Sequence, residues 1–250
     1  MLNFQYMATI IHIETSTNIC SVALSHEGLC LFSKEDRNGP NHARTLAPMV
    51  EEALGVADSR GLPPDAVAVS AGPGSYTGLR IGVSTAKGLC YGRNLKLIGV
   101  KTLELLCVPI LLEEFESSRV QEFEDSDFLL CPMIDARRME VYTALYDRAL
   151  NPHSEVEAKI IDESSYQEVL AERPVLFFGN GAAKCKNVIK HKNAHFIEEI
   201  VPLARYMLPL ADKAMMLGKT EDVAYFEPFY LKEFIAGTST KINKVIENRE

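Results

Sequence analysis

Two short stretches bring together residue types that do chemistry. Residues 72–78 are Gly-Pro-Gly-Ser-Tyr-Thr-Gly and residues 14–17 are Glu-Thr-Ser-Thr. The glycines follow an apolar, strand-like run, Ala66 to Ser70, and open a helix. A strand-to-helix turn without side chains aims backbone N–H groups and a helix N-terminus at one point, which suits an anion. Nearby residues would add hydroxyls, positive charge at Arg80 and Lys87, and a carboxylate at Glu14. The candidate nucleotide- or anion-binding set is Glu14, Ser16, Thr17, Gly72, Gly74, Ser75, Thr77, Gly78 and Arg80.

Other chemistries have less support. The sequence contains no Gly-x-x-x-x-Gly-Lys-Ser/Thr loop. Ser75 sits on a glycine-rich turn, but Gly-x-Ser-x-Gly is not what surrounds it. No spacing argues that His12 or His42 reaches Ser75. Ser75 and Thr77 serve equally well as caps for the helix that follows. No catalytic residue is assigned.

The elements that must hold these residues follow from hydrophobic patterning. Ile10 to Glu14, Ile19 to Ser25 and Leu29 to Ser33 form three strands joined by the turns 15–18 and 26–28. Asn41 is a candidate N-cap for a helix carrying Leu46, Val50, Ala53, Leu54 and Ala57, with a kink expected at Pro48. After the 66–70 strand and the glycine loop come a helix over 79–91, a strand over 95–100 and a helix from Thr102. The order βββ-α-β-α-β-α is that of an RNase H-like unit, the building block of actin-like ATPases. Residues 113–127 hold seven acidic side chains and one arginine, and mark a linker. Beyond it, strands at 128–134, 139–146, 157–161 and 175–178, the Gly179-Asn180-Gly181 turn and a helix over 209–217 echo the first half. The expected organisation is α/β with two lobes, each a mixed sheet flanked by helices: 1–112, the 113–127 linker, and 128–250.

Composition bounds the function classes. The 250 residues are 47% hydrophobic and 24% charged, ordinary for a globular protein. No apolar run approaches the roughly 18 residues of a membrane span, and Met1 to Ala8 lack the pattern of a signal peptide. Six scattered cysteines without a Cys-x-x-Cys pair point to reduced thiols and a cytoplasmic setting. A net charge of −8 argues against strong nucleic-acid binding by this chain alone, with Lys184, Lys186, Lys190, His191 and Lys192 a local basic exception.

Three segments together resemble one family. They are Ile11-His12-Ile13-Glu14-Thr15-Ser16-Thr17; the block from Gly72 to Gly82 with Ala86-Lys87-Gly88; and Asp135-Ala136-Arg137 followed by Glu140-Val141-Tyr142. They are similar to the TsaB (YeaZ) family, the non-catalytic subunit of the bacterial machinery that makes threonylcarbamoyladenosine in tRNA. The resemblance weakens after about residue 190. It implies an actin-like ATPase (ASKHA) fold and a heterodimer with the catalytic paralogue TsaD. It also implies completion by the ATPase TsaE, homodimerisation when alone, and tRNA contact only within the complex. The rival reading is an enzyme in its own right, an actin-like ATP-dependent kinase or a glycoprotease-like peptidase.

The same resemblance frames the missing parts. The catalytic paralogue carries His-x-x-x-His on a helix, a metal-binding spacing. Here His42 is followed four residues on by Leu46, so no metal is expected. Actin-like ATPases place an Asp and a glycine in the first hairpin, whereas this chain has Glu14-Thr15-Ser16-Thr17. Weak ATP or ADP binding, in the complex if anywhere, is the most that is expected. Helix 79–91 carries two glycines, Gly82 and Gly88, about 120° apart around the axis, each unfavourable by roughly 1 kcal/mol relative to alanine. The family pairs this helix and the one near His42 with the same pair from another subunit. The resulting interface candidates are His42, Leu46, Met49, Val50, Ala53, Ile81, Gly82, Ser84 and Gly88.

Overall fold

The computed structural model describes residues 8–39, 41–112 and 127–232. The acidic segment 113–126 and the tail beyond 232 lie outside the described residues. The first lobe is a five-stranded sheet of β1 (Thr9–Glu14), β2 (Cys20–His26), β3 (Leu29–Asp36), β4 (Ala66–Gly72) and β5 (Lys96–Lys101). Its spatial order is β3-β2-β1-β4-β5, antiparallel at β1/β2 and β2/β3 and parallel at β1/β4 and β4/β5. The central strands are buried along nearly their whole length, because helices cover both faces.

One face carries α1 (His42–Ser59) and α2 (Tyr76–Arg93). Leu46, Met49, Val50, Ala53 and Ala57 of α1, with Val83, Ala86 and Cys90 of α2, pack on Ile11, Ile13, Val22, Val67 and Val69. The α1 helix runs unbroken through Pro48, and Asn41 occupies its N-cap without a side-chain capping bond. The opposite face packs on α3 (Thr102–Leu111), a 3-10 turn over Ala204–Met207 and α6 (Leu208–Met216).

The second lobe repeats the plan. Its strands are β6 (Leu129–Asp135), β7 (Glu140–Thr143), β8 (Glu157–Ile160), β9 (Val175–Phe178) and β10 (Ala194–Ile197), ordered β8-β7-β6-β9-β10. Antiparallel pairs again give way to parallel ones at the β6/β9 and β9/β10 ladders. Short helices α4 (Gln167–Glu172) and α5 (Ala182–Cys185) complete it. This is the two-lobed, actin-like arrangement expected from the order of elements. α3 is shared: Leu105 and Val108 face the first sheet, while Leu103, Leu106, Cys107 and Ile110 face the second. That double burial explains its nearly uninterrupted apolar sequence.

The six cysteines are free, five of them buried and Cys30 exposed. Among the described residues, no helix is long and apolar enough to cross a membrane.

Candidate functional site

The first turn of α2 sits on the β1–β2 turn. Ser75, the N-cap of α2, accepts a hydrogen bond from the Gly78 N–H at 3.3 Å and donates its own N–H to the Ser16 carbonyl at 2.7 Å. A Cβ added to Gly74 would lie 2.5 Å from that carbonyl, and one added to Gly78 would run into the Thr15 carbonyl. A turn further along, Gly82 closes on the Thr15 hydroxyl. That hydroxyl donates in turn to the Gly78 carbonyl at 2.8 Å. From the other side, His42 Nε2–H donates to the Thr17 carbonyl at 2.7 Å, and the His42 ring lies against Gly78. Both helices therefore clamp the turn 15–17, and the loop's bareness serves the close packing of one segment of the chain on another.

The turn is buried and polar. Glu14, Thr15 and Ser16 have no exposed surface, and Glu14 Oε1 accepts the Ser16 N–H at 2.5 Å. Burial raises the Glu14 carboxyl from 4.5 to about 7, the Ser16 N–H offsetting part of the rise. Such a group is largely protonated in mild acid and is a poor counterpart to a metal–phosphate centre. Thr77 and Arg80 lie apart on the exposed side, where Arg80 stands 5.7 Å from the Tyr76 ring centroid. Together with Tyr76 and Ile81 they line a shallow surface depression. The nine sequence candidates thus divide: the structure gathers Glu14, Ser16, Thr17, Gly74, Ser75 and Gly78 into one knot, buried at Glu14, Ser16, Thr17 and Gly78 and open to solvent at Ser75, leaves Thr77 and Arg80 outside it, and turns Gly72 toward a different segment.

Gly72 meets a partner that no sequence pattern announced. The segment 221–232 crosses the first lobe, starting from the Glu221 N–H on the Leu97 carbonyl. Lys87 Nζ holds it through the carbonyls of Ala224 (3.0 Å) and Phe226 (3.1 Å). The Phe229 N–H donates to the Ala71 carbonyl at 2.7 Å, and a Cβ on Gly72 would lie 2.6 Å from the Phe229 carbonyl. Tyr230 packs on Tyr76 with ring centroids 4.7 Å apart, and Lys232 pairs with Glu140 of the second lobe. This strap lies along the mouth of the glycine loop and joins the lobes. Its contacts are backbone carbonyls and rings, which leave no periodic trace in a sequence.

The second lobe has a matching joint. Gly179 closes on the Met133 carbonyl, and Gly181 lies 2.9 Å from Val141 by the same measure. The Asn180 side chain accepts the Asp135 N–H at 2.9 Å. In both lobes the turn after the fourth strand of the lobe packs on the hairpin formed by its first two.

A family model described as TsaD: tRNA N6-adenosine threonylcarbamoyltransferase matches residues 37–238. The Escherichia coli tRNA threonylcarbamoyladenosine biosynthesis protein TsaB is 30% identical, over 91% of this chain and 96% of that protein. The chain belongs to the TsaB family. The TsaB protein of Bacillus subtilis is 29% identical over 86% of this chain and 89% of its own. A crystal structure from Pseudomonas aeruginosa, described as similar to the peptidase YeaZ, superposes with a TM-score of 0.72. It is 27% identical and covers 90% of this chain and all of that one.

Seen as a TsaB fold, the interface candidates need correction. Leu46, Val50, Ala53 and, at 5% exposure, Met49 form the core of the first lobe. They are committed to this chain's own sheet, since the most apolar stripe of α1 is the one a sheet demands. His42 is buried and bonded to Thr17, and Gly82 is closed by Thr15. Ile81 is half-buried, while Ser84 and Gly88 are exposed, and a Cβ on Gly88 would meet nothing within 4 Å. On α1 the outward residues include Ala43, Arg44, Ala47, Pro48, Glu51 and Glu52. The position four after His42, where the paralogue's second histidine would stand, is occupied by the core side chain of Leu46, 1% exposed. Among the described residues, no three His, Cys, Asp or Glu side chains converge as metal ligands.

Proposed function

We propose that this chain serves tRNA threonylcarbamoyladenosine biosynthesis as a non-catalytic subunit, docking a TsaD-type transferase through the outer faces of α1 and α2. The relatives' names supply the pathway. The observation that carries the non-catalytic role is the filled glycine loop: its glycines close on Ser16, Thr15 and Phe229 of the same chain. The docking face rests on Gly88, a helix glycine with open space in front of it. Inside one chain nothing compensates its unfavourable helix propensity. A partner helix approaching closely over Gly88, Ser84 and Ala47 would. A TsaE-type ATPase completes the assembly, and the same face pairs two copies when the transferase is absent.

The test is co-purification of the chain with the TsaD-type protein of the same cell. Association that survives Gly88→Leu unchanged overturns the docking face.

A second reading, weak nucleotide binding, has one observation in its favour: the exposed Arg80 beside the Tyr76 ring at the start of α2. Calorimetry of the assembled complex with ATP and magnesium tests it. An enthalpy lost in Arg80→Gln supports this reading, and no heat at millimolar nucleotide ends it.

A further inference from the structure

The turn joining β6 to β7 holds two consecutive arginines in left-handed backbone conformations, Arg137 at φ 71° and Arg138 at φ 49°. This region disfavours side chains other than glycine and asparagine, and hairpin tips with such angles ordinarily carry those residues. Residues held there persist only where surrounding structure over-determines them, and they concentrate at ligand clamps.

The bracing is present. The Asp135 carboxylate accepts the Arg137 N–H at 3.0 Å, and Asn180 accepts the Asp135 N–H. Lys184 Nζ pairs with Asp135 and donates to the Glu140 carbonyl at 2.7 Å. Ala136 and Glu140 close the turn through backbone bonds, and Lys232 of the strap neutralises Glu140. The acids nearest the arginines are thus occupied by lysines. Among the described residues, neither the Arg137 nor the Arg138 guanidinium has a hydrogen-bond or ion-pair partner, and both are exposed.

The basic run at 184–192 fares differently. Lys184 is tied to Asp135 and Lys186 to Glu198, which leaves Lys190 and Lys192 exposed. The second lobe's available positive charge is therefore centred on a pair carried by a braced hairpin tip, with two lysines elsewhere on the same lobe. A guanidinium presents a donor fork matched to phosphate oxygens, and a braced backbone beneath the two side chains leaves less of the chain to be ordered on binding. The pair stands on an exposed turn, which suits a phosphate chain running along a surface more than a small ligand needing an enclosing pocket.

We infer that the Arg137–Arg138 turn is a phosphate-backbone contact for tRNA within the assembled complex. The inference rests on the proposed role in tRNA modification and adds the place where this chain touches the nucleic acid. It also accommodates the net charge of −8, since two cations add an RNA contact only where other subunits supply most of the affinity.

The experiment is a fluorescence-anisotropy titration of labelled tRNA against the complex of this chain with its transferase, from 50 to 300 mM KCl. Arg137→Gln with Arg138→Gln is expected to weaken binding on the order of tenfold at low salt, and to reduce the salt slope by about 1 to 2. A second variant, Arg137→Gly with Arg138→Gly, suits the left-handed backbone better, so its thermal midpoint should rise while tRNA affinity falls. Unchanged affinity and slope in both variants overturn the inference. If the wild-type complex binds and modifies tRNA and only the variants are indistinguishable from it, the turn alone is refuted. If the wild-type complex neither binds nor modifies tRNA, the proposed function fails with it.

Discussion

Gly78 of α2 lies against the carbonyl oxygen of Thr15, closer than any side chain would allow. The contact joins the start of α2 to the β1–β2 turn, and with Gly74 on Ser16 it turns a loop shaped for an anion into an internal joint.

Gly78→Ala is therefore expected to destabilise the protein by roughly 3 kcal/mol, since the obstacle is backbone and not a movable side chain. Gly88→Ala, in open space on the same helix, is expected to stabilise it by roughly 1 kcal/mol. Urea denaturation of both variants checks the pair, and equal effects would refute the joint.

Glu14 links stability to pH. Its carboxyl is raised to about 7 in the folded protein from 4.5, so the folded state holds a proton that the unfolded state has released between those values. The contribution is fully present below pH 4.5, declines as pH rises through the window and is lost above 7. Glu14→Gln should flatten this fall and leave the variant more stable at pH 7.5, by about 3 kcal/mol at most. His12, buried and lowered to about 3, has the opposite slope: its stabilisation appears as pH rises from 3 toward 6.5. Thermal midpoints of Glu14→Gln and His12→Gln across pH 4–8 separate the two, and parallel curves would refute the assignment.

The strap is held by identifiable contacts. Tyr230→Ala removes its ring from Tyr76 and should lower stability by about 1 kcal/mol. Lys87→Met, which leaves the carbonyls of Ala224 and Phe226 without their donor, should speed amide exchange in residues 221–230 specifically. Exchange that rises uniformly across the lobe would contradict a locally fastened strap.

Core and surface positions of α1 separate in the same way. Leu46→Ala empties a site that is 1% exposed and should reduce stability by about 2–5 kcal/mol. Ala47→Glu, on the exposed side, should change it by less than about 0.5 kcal/mol while blocking association with the transferase. A stable Ala47→Glu chain that still binds normally would place the partner elsewhere.

Much of this was legible in the residues. The strand runs, the glycine loop and the echo of the first half in the second follow from period-two patterning and turn residues, and they locate β1, β4 and α2 closely. The apolar stripe of α1 was legible as a stripe, but a stripe does not say whether a sheet or a partner covers it. The sheet takes Leu46, Val50 and Ala53, leaving the small residues outside. Gly82 and Gly88 look alike in sequence, and only the fold shows one closed by Thr15 and the other open. The strap was not legible, because it offers Lys87 and Ala71 only its own carbonyls and an N–H, backbone groups that every residue but proline has.

The measurement that bears most directly on the account is reconstituted threonylcarbamoylation of tRNA by the transferase with this chain added as wild type or as Gly88→Leu. The wild-type chain is expected to restore modification, and Gly88→Leu, folded and with an undiminished thermal midpoint, is expected not to. Full modification by the transferase alone, or with the Gly88→Leu chain, would contradict it.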